Sequence, residues 1–285
     1  MDYLNRAAAP FSKKTWDAID AAVVRAATRR LTGRRFIEVD GPFGLAVRSA
    51  SLGMDRIAVE GGVEAGTRRA AVLVDGAVSI PLIQERFVLD LRGVEAYEKF
   101  DQPLNIKNAA IAGESIANRE EDLIFHGAEA IGHAGLLTIK GNREVSLGDW
   151  MDAEGAFRDI LAAIGELDAG GHTGPYAMAL SPRLYALLHQ VYPGRDTILI
   201  DHVRKVVTEG VFKAPVLTAG GVLVETTRRN LALMVGQDLA TGFESIDGMT
   251  YRLSAFESLA LVIRFPSAIC VLKEARTAAH ARKKE

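Results

Sequence analysis

Hydrophobic positions near the start of the chain recur every three to four residues. The positions that follow this spacing are Trp16, Ile19, Val23, Ala26, Ala27 and Leu31. Such spacing puts the apolar side chains on one face of an α-helix. Ser12 is a residue type that caps helix starts, and Gly33 is one that ends helices. We therefore expect an amphipathic helix from Ser12 to Leu31 that Gly33 ends.

After this helix the pattern changes to extended, polar and glycine-rich chain. Between residues 48 and 82 the apolar side chains are too few to form a core of their own. Asp75-Gly76 separates two apolar runs, which is the sequence signal of a two-residue β-hairpin turn. We expect an extended arm over this range, suited to lie on another surface such as a neighbouring subunit.

Strand-like alternation and then helical spacing follow the arm. Phe87, Leu89 and Leu91 alternate with polar residues, as in a half-buried strand. The range 105–132 predicts a long, alanine-rich helix, and the carboxylates at 120–122 are expected on its solvent-exposed face.

A second unit begins near Trp150. The range 157–167 predicts a helix that the following glycines end, and the range 176–180 predicts a short buried strand. From Ala214 onward the pattern is mostly strand. We predict an α+β chain in which residues 150–224 are inserted into a discontinuous outer domain.

Composition is that of a folded globular protein. The 285 residues are 48% hydrophobic and 25% charged, and 34 basic against 36 acidic side chains give a formal net charge of −2. Such a chain can bury a sizeable core. It lacks the positive charge of a dedicated nucleic-acid binder, so no nucleic-acid partner is expected.

The cysteine content and the lengths of the apolar runs indicate where the chain works. A single cysteine, Cys270, can neither close an internal disulfide nor build a thiolate metal cage. No apolar run approaches the roughly 20 residues of a membrane span, and no signal-peptide core follows Met1. We expect a cytoplasmic protein with no membrane partner.

Catalytic motifs are missing from the sequence. There is no Gly-Lys-Ser/Thr phosphate loop and no Gly-x-Ser-x-Gly nucleophile elbow. Asp122 and His126 are four residues apart, but two potential ligands are too few to indicate a metal site. We expect no catalytic residue, no metal and no cofactor. A large core, an extended arm and no catalytic grouping indicate an assembly protein rather than an enzyme.

Sequence segments spread over most of the chain have a recognisable order and spacing. They are Leu4 with Ala9-Pro10, residues 16–20, Gly33-Arg34-Arg35-Phe36-Ile37, Gly41-Pro42-Phe43-Gly44, Pro81-Leu82-Ile83, residues 121–127, residues 134–137, Gly174-Pro175-Tyr176, residues 180–185 and Gly236-Gln237-Asp238-Leu239. Together they resemble the encapsulins, bacterial and archaeal shell proteins related to the major capsid protein of tailed phages.

This resemblance implies a Hong Kong 97-type phage capsid fold. The implied domains are the N-terminal helix and start of the peripheral domain (1–47), the elongated loop (48–82), the peripheral domain with its long helix (83–149), the axial domain (150–224), the return to the peripheral domain (225–274) and a disordered charged tail (275–285). It also implies that sixty or more copies close into an icosahedral shell, with the loop pairing with a neighbouring subunit.

A cargo-binding groove is implied as well. Encapsulins enclose cargo enzymes through a short C-terminal targeting peptide, which docks between the N-terminal helix and the peripheral domain. The residues expected to bind it are Leu31, Arg34, Glu38, Asp238 and Leu239. The leucines would bury the apolar anchors of the peptide, while Arg34 and the carboxylates would fix its register. Core packing with an internal ion pair is the alternative role for this set.

An axial pore loop is the second implied site. The expected pore residues are Tyr192, Pro193, Gly194, Arg195 and Asp196. Repeated around a fivefold axis, this loop would form a channel for small ions or metabolites, with Arg195 and Asp196 setting the charge of its mouth. A plain surface loop is the alternative.

The expected cargo is a ferritin-like iron-oxidising protein, because residues 26–31 and 181–185 look closer to encapsulins with that cargo. This implies iron storage or protection from oxidative stress, and a dye-decolorising peroxidase is the alternative cargo. Arg92 stands where some family members have a tryptophan that could support a flavin, so flavin binding is not implied. A phage-type capsid protein and a hydrolase are the competing functions.

Overall fold

The computed structural model describes residues 3–59, 63–64, 67–68, 72–194 and 196–274. Its α-helices, in chain order, are α1 (Lys13–Thr28), α2 (Leu91–Phe100), α3 (Lys107–Phe125), α4 (Ala153–Ala169), α5 (Pro182–Leu187) and α6 (Leu199–Val203). Short 3₁₀ turns are formed by Arg6–Ala8, Gly33–Arg35, Glu129–Ile131 and Pro266–Ala268. The predicted tail, 275–285, lies outside the described residues.

The strands lie between and after these helices along the chain. They are β1 (Val39–Asp40), β2 (Ser49–Val59), β3 (Val63–Glu64), β4 (Thr67–Arg68), β5 (Val72–Ser79), β6 (Leu82–Asp90), β7 (Gly127–Ala128), β8 (His133–Ala134), β9 (Arg143–Leu147), β10 (Tyr176–Leu180), β11 (Gly210–Lys213), β12 (Gly221–Glu225), β13 (Leu231–Asp247), β14 (Thr250–Ile263) and β15 (Ile269–Glu274). The α+β class predicted from the sequence is confirmed.

The chain divides into two compact units, each assembled from separate stretches. Unit 1 comprises the described residues of 1–31, 39–120 and 232–264, and unit 2 comprises those of 32–38, 121–231 and 265–285. Both units therefore have discontinuous sequences. The bounds of the elongated loop and the axial domain stay predictions.

Unit 1 is built on a four-stranded sheet in the order β1-β13-β14-β6. Strand β1 runs parallel to β13, and β14 pairs antiparallel with β6 from Thr250 opposite Asp90 to Ser258 opposite Leu82. A core cluster joins this sheet to α1, α2 and α3. Its buried members are Trp16, Ile19, Ala22, Val23, Phe87, Leu89, Val94, Ala109, Ala112, Ile116, Phe243, Tyr251, Leu253 and Ala255. The predicted apolar face of α1 and the inward positions of β6 are thus confirmed.

Both ends of α1 differ in detail from the prediction. Ser12 is the N-cap residue, but its side chain makes no cap bond. Instead its backbone N–H donates to Glu98 Oε1 at 2.8 Å, and the Thr15 hydroxyl donates to the same oxygen at 2.6 Å. These hydrogen bonds, that from Thr15 above all, lower the pKa of Glu98. At the other end α1 stops at Thr28, and Gly33 begins a 3₁₀ turn, so the prediction that Gly33 ends the helix was wrong.

An arginine fixes the chain before α1. The guanidinium of Arg6 donates to both carboxylate oxygens of Asp20, at 2.8 and 2.9 Å, and its Nε donates to the Thr241 carbonyl at 3.0 Å. Its central carbon lies 4.5 Å from the ring centroid of Trp16. Bidentate pairing of this kind is stronger than a single surface ion pair. It ties the N-terminal segment to α1 and to β13.

Helices α1 and α3 approach closely where α3 carries a glycine. A Cβ atom on Gly113 would lie 2.3 Å from the carbonyl oxygen of Val23. Only a residue without a side chain allows this backbone contact. Helix α3 ends at Phe125, before Gly127 with its positive φ of 76°. The prediction that the helix extends to residue 132 was therefore wrong.

The carboxylates near the end of α3 are mostly buried. Glu120 is 0% and Glu121 is 2% exposed, while Asp122 is half-exposed. The expected solvent-facing cluster was thus wrong for two of its three members. Glu120 and Glu121 continue the buried stripe of Ile116, Ala117 and Ile124 at three- and four-residue steps, so helical geometry places them inward despite their polarity.

The extended arm contains an antiparallel pair, β2 with β5. The predicted turn at Asp75-Gly76 was wrong, because β5 continues through both residues. Ser51 pairs with Ala77, whereas the next pair joins Asp55 to Asp75, so β2 carries a bulge opposite Gly76. Glycine here serves an irregular strand pair rather than a turn. A small apolar cluster at the base of the arm is formed by Ala50, Leu52, Ile80, Ala260 and Val262.

Unit 2 is built on a five-stranded sheet in the order β11-β10-β12-β15-β9. Helix α4 packs on this sheet and starts at the Asp152 N-cap, ahead of the predicted range 157–167, and its end at Gly170 is as predicted. Strand β10, between β11 and β12, is buried at every position, which confirms the predicted buried strand. Cys270 lies in β15, and burial raises the pKa of its thiol to about 12. This cysteine is a protonated core side chain.

Candidate functional sites

Three of the residues expected to bind cargo lie in unit 1. Leu31 is half-buried and follows α1, and its backbone N–H continues the helical turn to the Ala27 carbonyl at 3.2 Å. Asp238 and Leu239 lie in β13. Asp238 is exposed and its Oδ1 accepts from the Leu239 N–H at 2.9 Å.

Leu239 is the member of the set with the clearest apolar surroundings. It is partly buried and packs against the cluster that contains Trp16 and Val23 of α1. The helix and the strand thus share one apolar surface, and Asp238, the preceding residue of β13, is exposed. An apolar side chain with a carboxylate as its neighbour suits recognition of a peptide that carries both apolar and polar groups.

The other two expected residues, Arg34 and Glu38, lie in unit 2. Arg34 is half-buried within the Gly33–Arg35 turn, and Glu38 is exposed. The structure therefore divides the predicted set between the two units. Leu31, Asp238 and Leu239 belong to one, and Arg34 and Glu38 belong to the other.

A buried carboxylate holds the turn that presents Arg34. Oε1 of Glu121 accepts the backbone N–H of Thr32 at 2.7 Å and that of Gly33 at 2.8 Å. A Cβ on Gly33 would lie 2.7 Å from Cδ1 of Ile124, so the turn sits tightly against α3. Glu121 is thus a positioning residue that the sequence analysis missed. The three- and four-residue spacing of the buried stripe on α3 was a signal that could have found it.

The exposed Glu38 carboxylate has a basic partner. Arg228 Nε lies 4.0 Å from Glu38 Oε1, and the two side chains are 59% and 51% exposed. An ion pair this open to water contributes at most about 1 kcal/mol to stability. Arg228 follows β12 and was missed by the sequence analysis, because a separation of this length along the chain carries no local pattern.

The predicted pore loop has an ordered base. Val191 bridges Ile198, and the Tyr192 N–H donates to the Thr197 carbonyl at 2.9 Å. Pro193, Gly194 and Asp196 are exposed, and Gly194 has a positive φ of 73°. Arg195 lies outside the described residues.

A histidine of α6 lies against the two limbs of this loop. His202 Nε2 is 2.8 Å from the Thr197 hydroxyl. Its ring centroid is 4.7 Å from that of Tyr192, with 36° between the planes, and 6.4 Å from that of Phe157 in α4. His202 belongs to no motif recognised in the sequence. Its partners become visible only when α6 folds back under the loop.

A second histidine lies in a buried polar network. His172 Nδ1 is 2.8 Å from Glu225 Oε2, and its Nε2 is 2.9 Å from the Ser267 hydroxyl. The Asn230 side-chain amide donates to the same carboxylate oxygen. Tyr176 Oη lies 2.5 Å from Asp168 Oδ1, and burial, reinforced by this carboxylate, raises the pKa of Tyr176.

The order of hydroxyl, imidazole and carboxylate matches that of a serine hydrolase triad. The network also joins the end of α4 to β12 and to the Pro266–Ala268 turn, which is a structural role. The sequence analysis did not predict this grouping, since Ser267 and Glu225 come from distant parts of the chain. Two variants separate the roles.

We expect Glu225→Ala to destabilise unit 2 by about 1–3 kcal/mol, because both buried donors, His172 and Asn230, then lose the carboxylate oxygen that they share. Ser267→Ala removes only the half-buried hydroxyl end and serves as the milder control. Thermal unfolding measures both effects. Equal losses would contradict a network centred on Glu225, and an esterase activity that disappears in Ser267→Ala would support the hydrolase function instead.

Potential metal ligands do not cluster within the described residues. No group of three or more His, Cys, Asp or Glu side chains there is arranged to hold a metal ion. The Asp122–His126 pair has its nearest atoms 3.5 Å apart and both side chains are about half-exposed. Among the helices in that same part of the chain, none is long and apolar enough to cross a membrane.

Comparison with known sequences covers nearly the whole chain. Residues 1–260 match the Linocin_M18 family model, described as an encapsulating protein for peroxidase. The type 1 encapsulin shell protein of Myxococcus xanthus is 34% identical over 279 residues, covering 96% of this chain and 97% of that protein. A diheme-cytochrome-encapsulin shell fusion protein of Kuenenia stuttgartiensis is 31% identical and covers 92% of this chain and 73% of its own length.

Solved structures agree on the fold. A virus-like particle from Pyrococcus furiosus matches with a TM-score of 0.73 at 20% identity, over 91% of this chain and all of that one. The capsid of the myovirus XM1 matches with a TM-score of 0.57 at 14% identity, over 85% and 90% of the two chains. The predicted Hong Kong 97-type capsid fold is confirmed.

The sequence relatives are named as shell proteins, and the family model describes an encapsulating protein. The prediction of a structural protein rather than an enzyme is therefore confirmed. On this ground the His172 network is a structural tie within unit 2. The match over almost the full length, together with the capsid fold, leads to one conclusion: the chain belongs to the encapsulin family of shell proteins.

Proposed function

We propose that this chain builds an icosahedral compartment of sixty or more copies and captures a cargo protein through a C-terminal targeting peptide. The observation that carries the proposal is the apolar surface shared by α1 and β13. There Leu239 stays partly exposed while it packs against the cluster that contains Trp16 and Val23. The exposed part of Leu239 is apolar area that a docked peptide would bury.

Each proposed groove residue has a chemical role. Leu31 and Leu239 cover apolar anchors of the peptide, and Asp238 accepts hydrogen bonds from its backbone or basic side chains. Arg34 offers a guanidinium from a turn that Glu121 holds in place. Glu38, paired with Arg228, adds a polar edge. Preorganisation of the Arg34 turn reduces the entropy lost when the peptide binds.

We propose a ferritin-like iron-oxidising protein as the cargo, which makes iron storage or protection from oxidative stress the cellular role. A peroxidase is the second candidate, favoured by the description of the family model. The Kuenenia relative is named for a diheme cytochrome, so shell proteins of this kind are found with more than one redox partner. The single, buried cysteine supports assembly in the reducing cytoplasm.

The loop that contains Tyr192, Pro193, Gly194, Arg195 and Asp196 is proposed to line the axial pore. Its described tip is exposed, and its base is closed by the Val191–Ile198 bridge. A loop held at its base and open at its tip is suited to project towards a symmetry axis. Asp196 would then contribute a ring of carboxylates to the mouth of the pore.

Purification of intact shells from the native host tests the cargo proposal. Mass spectrometry of the contents is expected to identify a ferritin-like protein, and the last residues of that protein, fused to a fluorescent protein, should direct it into the shell. A peroxidase among the contents would favour the second candidate. Particles filled with nucleic acid and devoid of protein cargo would overturn the proposal in favour of a phage-type capsid.

A further inference from the structure

The contacts of His202 link the proposed pore loop to the body of unit 2. The loop has two limbs, which begin at Val191 and end at Ile198. Tyr192 lies on the first limb and Thr197 on the second, and His202 contacts both.

The two contacts differ in kind. The Thr197 hydroxyl lies 2.8 Å from His202 Nε2, so a hydrogen bond fixes the second limb. The first limb is fixed by ring packing, since the Tyr192 and His202 centroids are 4.7 Å apart. The ring of Phe157 in α4 is the third member of the group. Its centroid lies 6.3 Å from the Tyr192 ring centroid and 6.4 Å from the His202 ring centroid. Aromatic groups at these separations attract one another beyond simple burial.

The support behind His202 is rigid. Helix α6 is anchored by Leu199, Ile200 and Val203, which are all buried in the core of unit 2. The Leu199 N–H donates to the Gln190 carbonyl at 3.0 Å, and the Ile200 N–H donates to the Leu188 carbonyl at 2.8 Å. A side chain on a helix anchored in this way can hold a neighbouring loop in a defined position.

We propose that His202 is the positioning residue of the pore loop. By holding Tyr192 and Thr197 against α6, it fixes how far the loop tip extends and therefore sets the width of the opening that repeated copies form. This inference rests on the proposed pore function.

The first test measures how readily the loop opens locally, and it does not depend on transport through the shell. Hydrogen exchange at the backbone amides of residues 191, 192 and 194–198 is followed in assembled shells. His202→Ala is expected to speed exchange about tenfold, the effect of losing a hydrogen bond and a ring contact. His202→Gln keeps a group that can bond Thr197 and should have a smaller effect. Thr197→Val removes the hydroxyl alone.

His189 provides a matched control. It is an exposed histidine in the same unit, with its Nδ1 3.1 Å from the Tyr185 carbonyl and its ring centroid 5.1 Å from that of Tyr185. His189→Ala is expected to leave loop exchange unchanged. Unchanged exchange in His202→Ala, or an equal change in His189→Ala, would overturn the positioning role.

The second test measures passage through the shell. Shells are reassembled around a fluorescent protein, and the rate of its quenching by added iodide is recorded. His202→Ala is expected to alter this rate while electron microscopy shows intact particles. Faster loop exchange with an unchanged quenching rate would overturn the proposal that His202 sets the opening. If Asp196→Arg also leaves iodide entry unchanged, the loop is not the pore, and the failure lies in the proposed function itself.

Discussion

Gly113→Leu is expected to abolish shell formation. A Cβ at this position would lie 2.3 Å from the carbonyl oxygen of Val23 and 3.0 Å from its Cα and carbonyl carbon. These are backbone atoms of α1, which cannot rotate aside as a side chain would. Helix α1 would have to leave α3, and the buried contacts of Ile19, Val23 and Ile116 would open.

The expected loss of stability is large. Overpacking a well-packed core costs about 1–3 kcal/mol when side chains can adjust, and a clash with backbone exceeds that range. A typical domain is stable by only about 5–15 kcal/mol. Gly113→Leu therefore removes much of the stability of unit 1, and soluble, assembled protein should fall sharply. Gly113→Ala should show an intermediate loss, since its single methyl group meets the same carbonyl.

Gly165 is the matched control, because it is also a glycine inside a helix. It lies in α4, and a Cβ there would meet no heavy atom within 4 Å. Gly165→Ala should stabilise the helix by up to about 1 kcal/mol through its higher helix propensity. Thermal unfolding and particle yield, measured for all three variants, test the contrast. Intact shells from Gly113→Leu, or an equal loss from Gly165→Ala, would contradict the close approach of α1 and α3.

Leu239→Asp is expected to give intact but empty shells. The new carboxylate would face the apolar anchor of the targeting peptide and stand next to the carboxylate of Asp238. Burying an ionised group against an apolar partner is strongly unfavourable. A loss of about 3 kcal/mol corresponds to more than a hundredfold weaker binding. Leu239→Ala should reduce loading less, because it removes contact area without adding charge.

Leu239 also packs on the core of unit 1, so a control for stability is needed. Ile83 of β6 is likewise partly buried against the same cluster but lies outside the proposed groove. Ile83→Asp should match Leu239→Asp in its effect on unfolding, yet keep normal loading. The amount of cargo that copurifies per shell is the measurement. Unchanged loading in Leu239→Asp, or the same loss in Ile83→Asp, would remove Leu239 from the groove.

The elements that could be predicted are those defined by local periodicity. The apolar stripe of α1, the alternation of β6 and the buried strand β10 each follow from neighbouring residues alone. Helix α2 was missed, because Leu91 continued the alternation of Phe87 and Leu89. In the structure Asp90 accepts the Gly93 N–H at 2.7 Å and starts a helix there. A capping residue was present in the sequence, and the strand pattern obscured it.

Features that depend on distant partners could not be predicted. Asp75-Gly76 has the sequence of a turn, but in the structure β5 continues through both residues and pairs with the bulged strand β2. Glu121 is polar but buried, because it accepts two backbone N–H groups from residues 32 and 33. In both places a long-range hydrogen-bond pattern overrides the local preference.

The candidate site was predicted by resemblance rather than by periodicity. Leu31, Arg34, Glu38, Asp238 and Leu239 belong to no common sequence pattern, and the structure distributes them between its two units. The residues that support them, Glu121 and Arg228, were missed, as was His202 beneath the pore loop. The spacing of the α3 stripe could have indicated that Glu121 is buried, but no spacing along the chain reveals which distant group a supporting residue holds.

Assembly into a closed shell is tested most directly by negative-stain electron microscopy of the protein expressed alone. We expect uniform, hollow, roughly spherical particles that contain sixty or more copies of the 30.7 kDa chain. Sedimentation of the same sample should give a single, very large species. A protein that is folded but stays monomeric or dimeric would contradict the assignment as a shell protein.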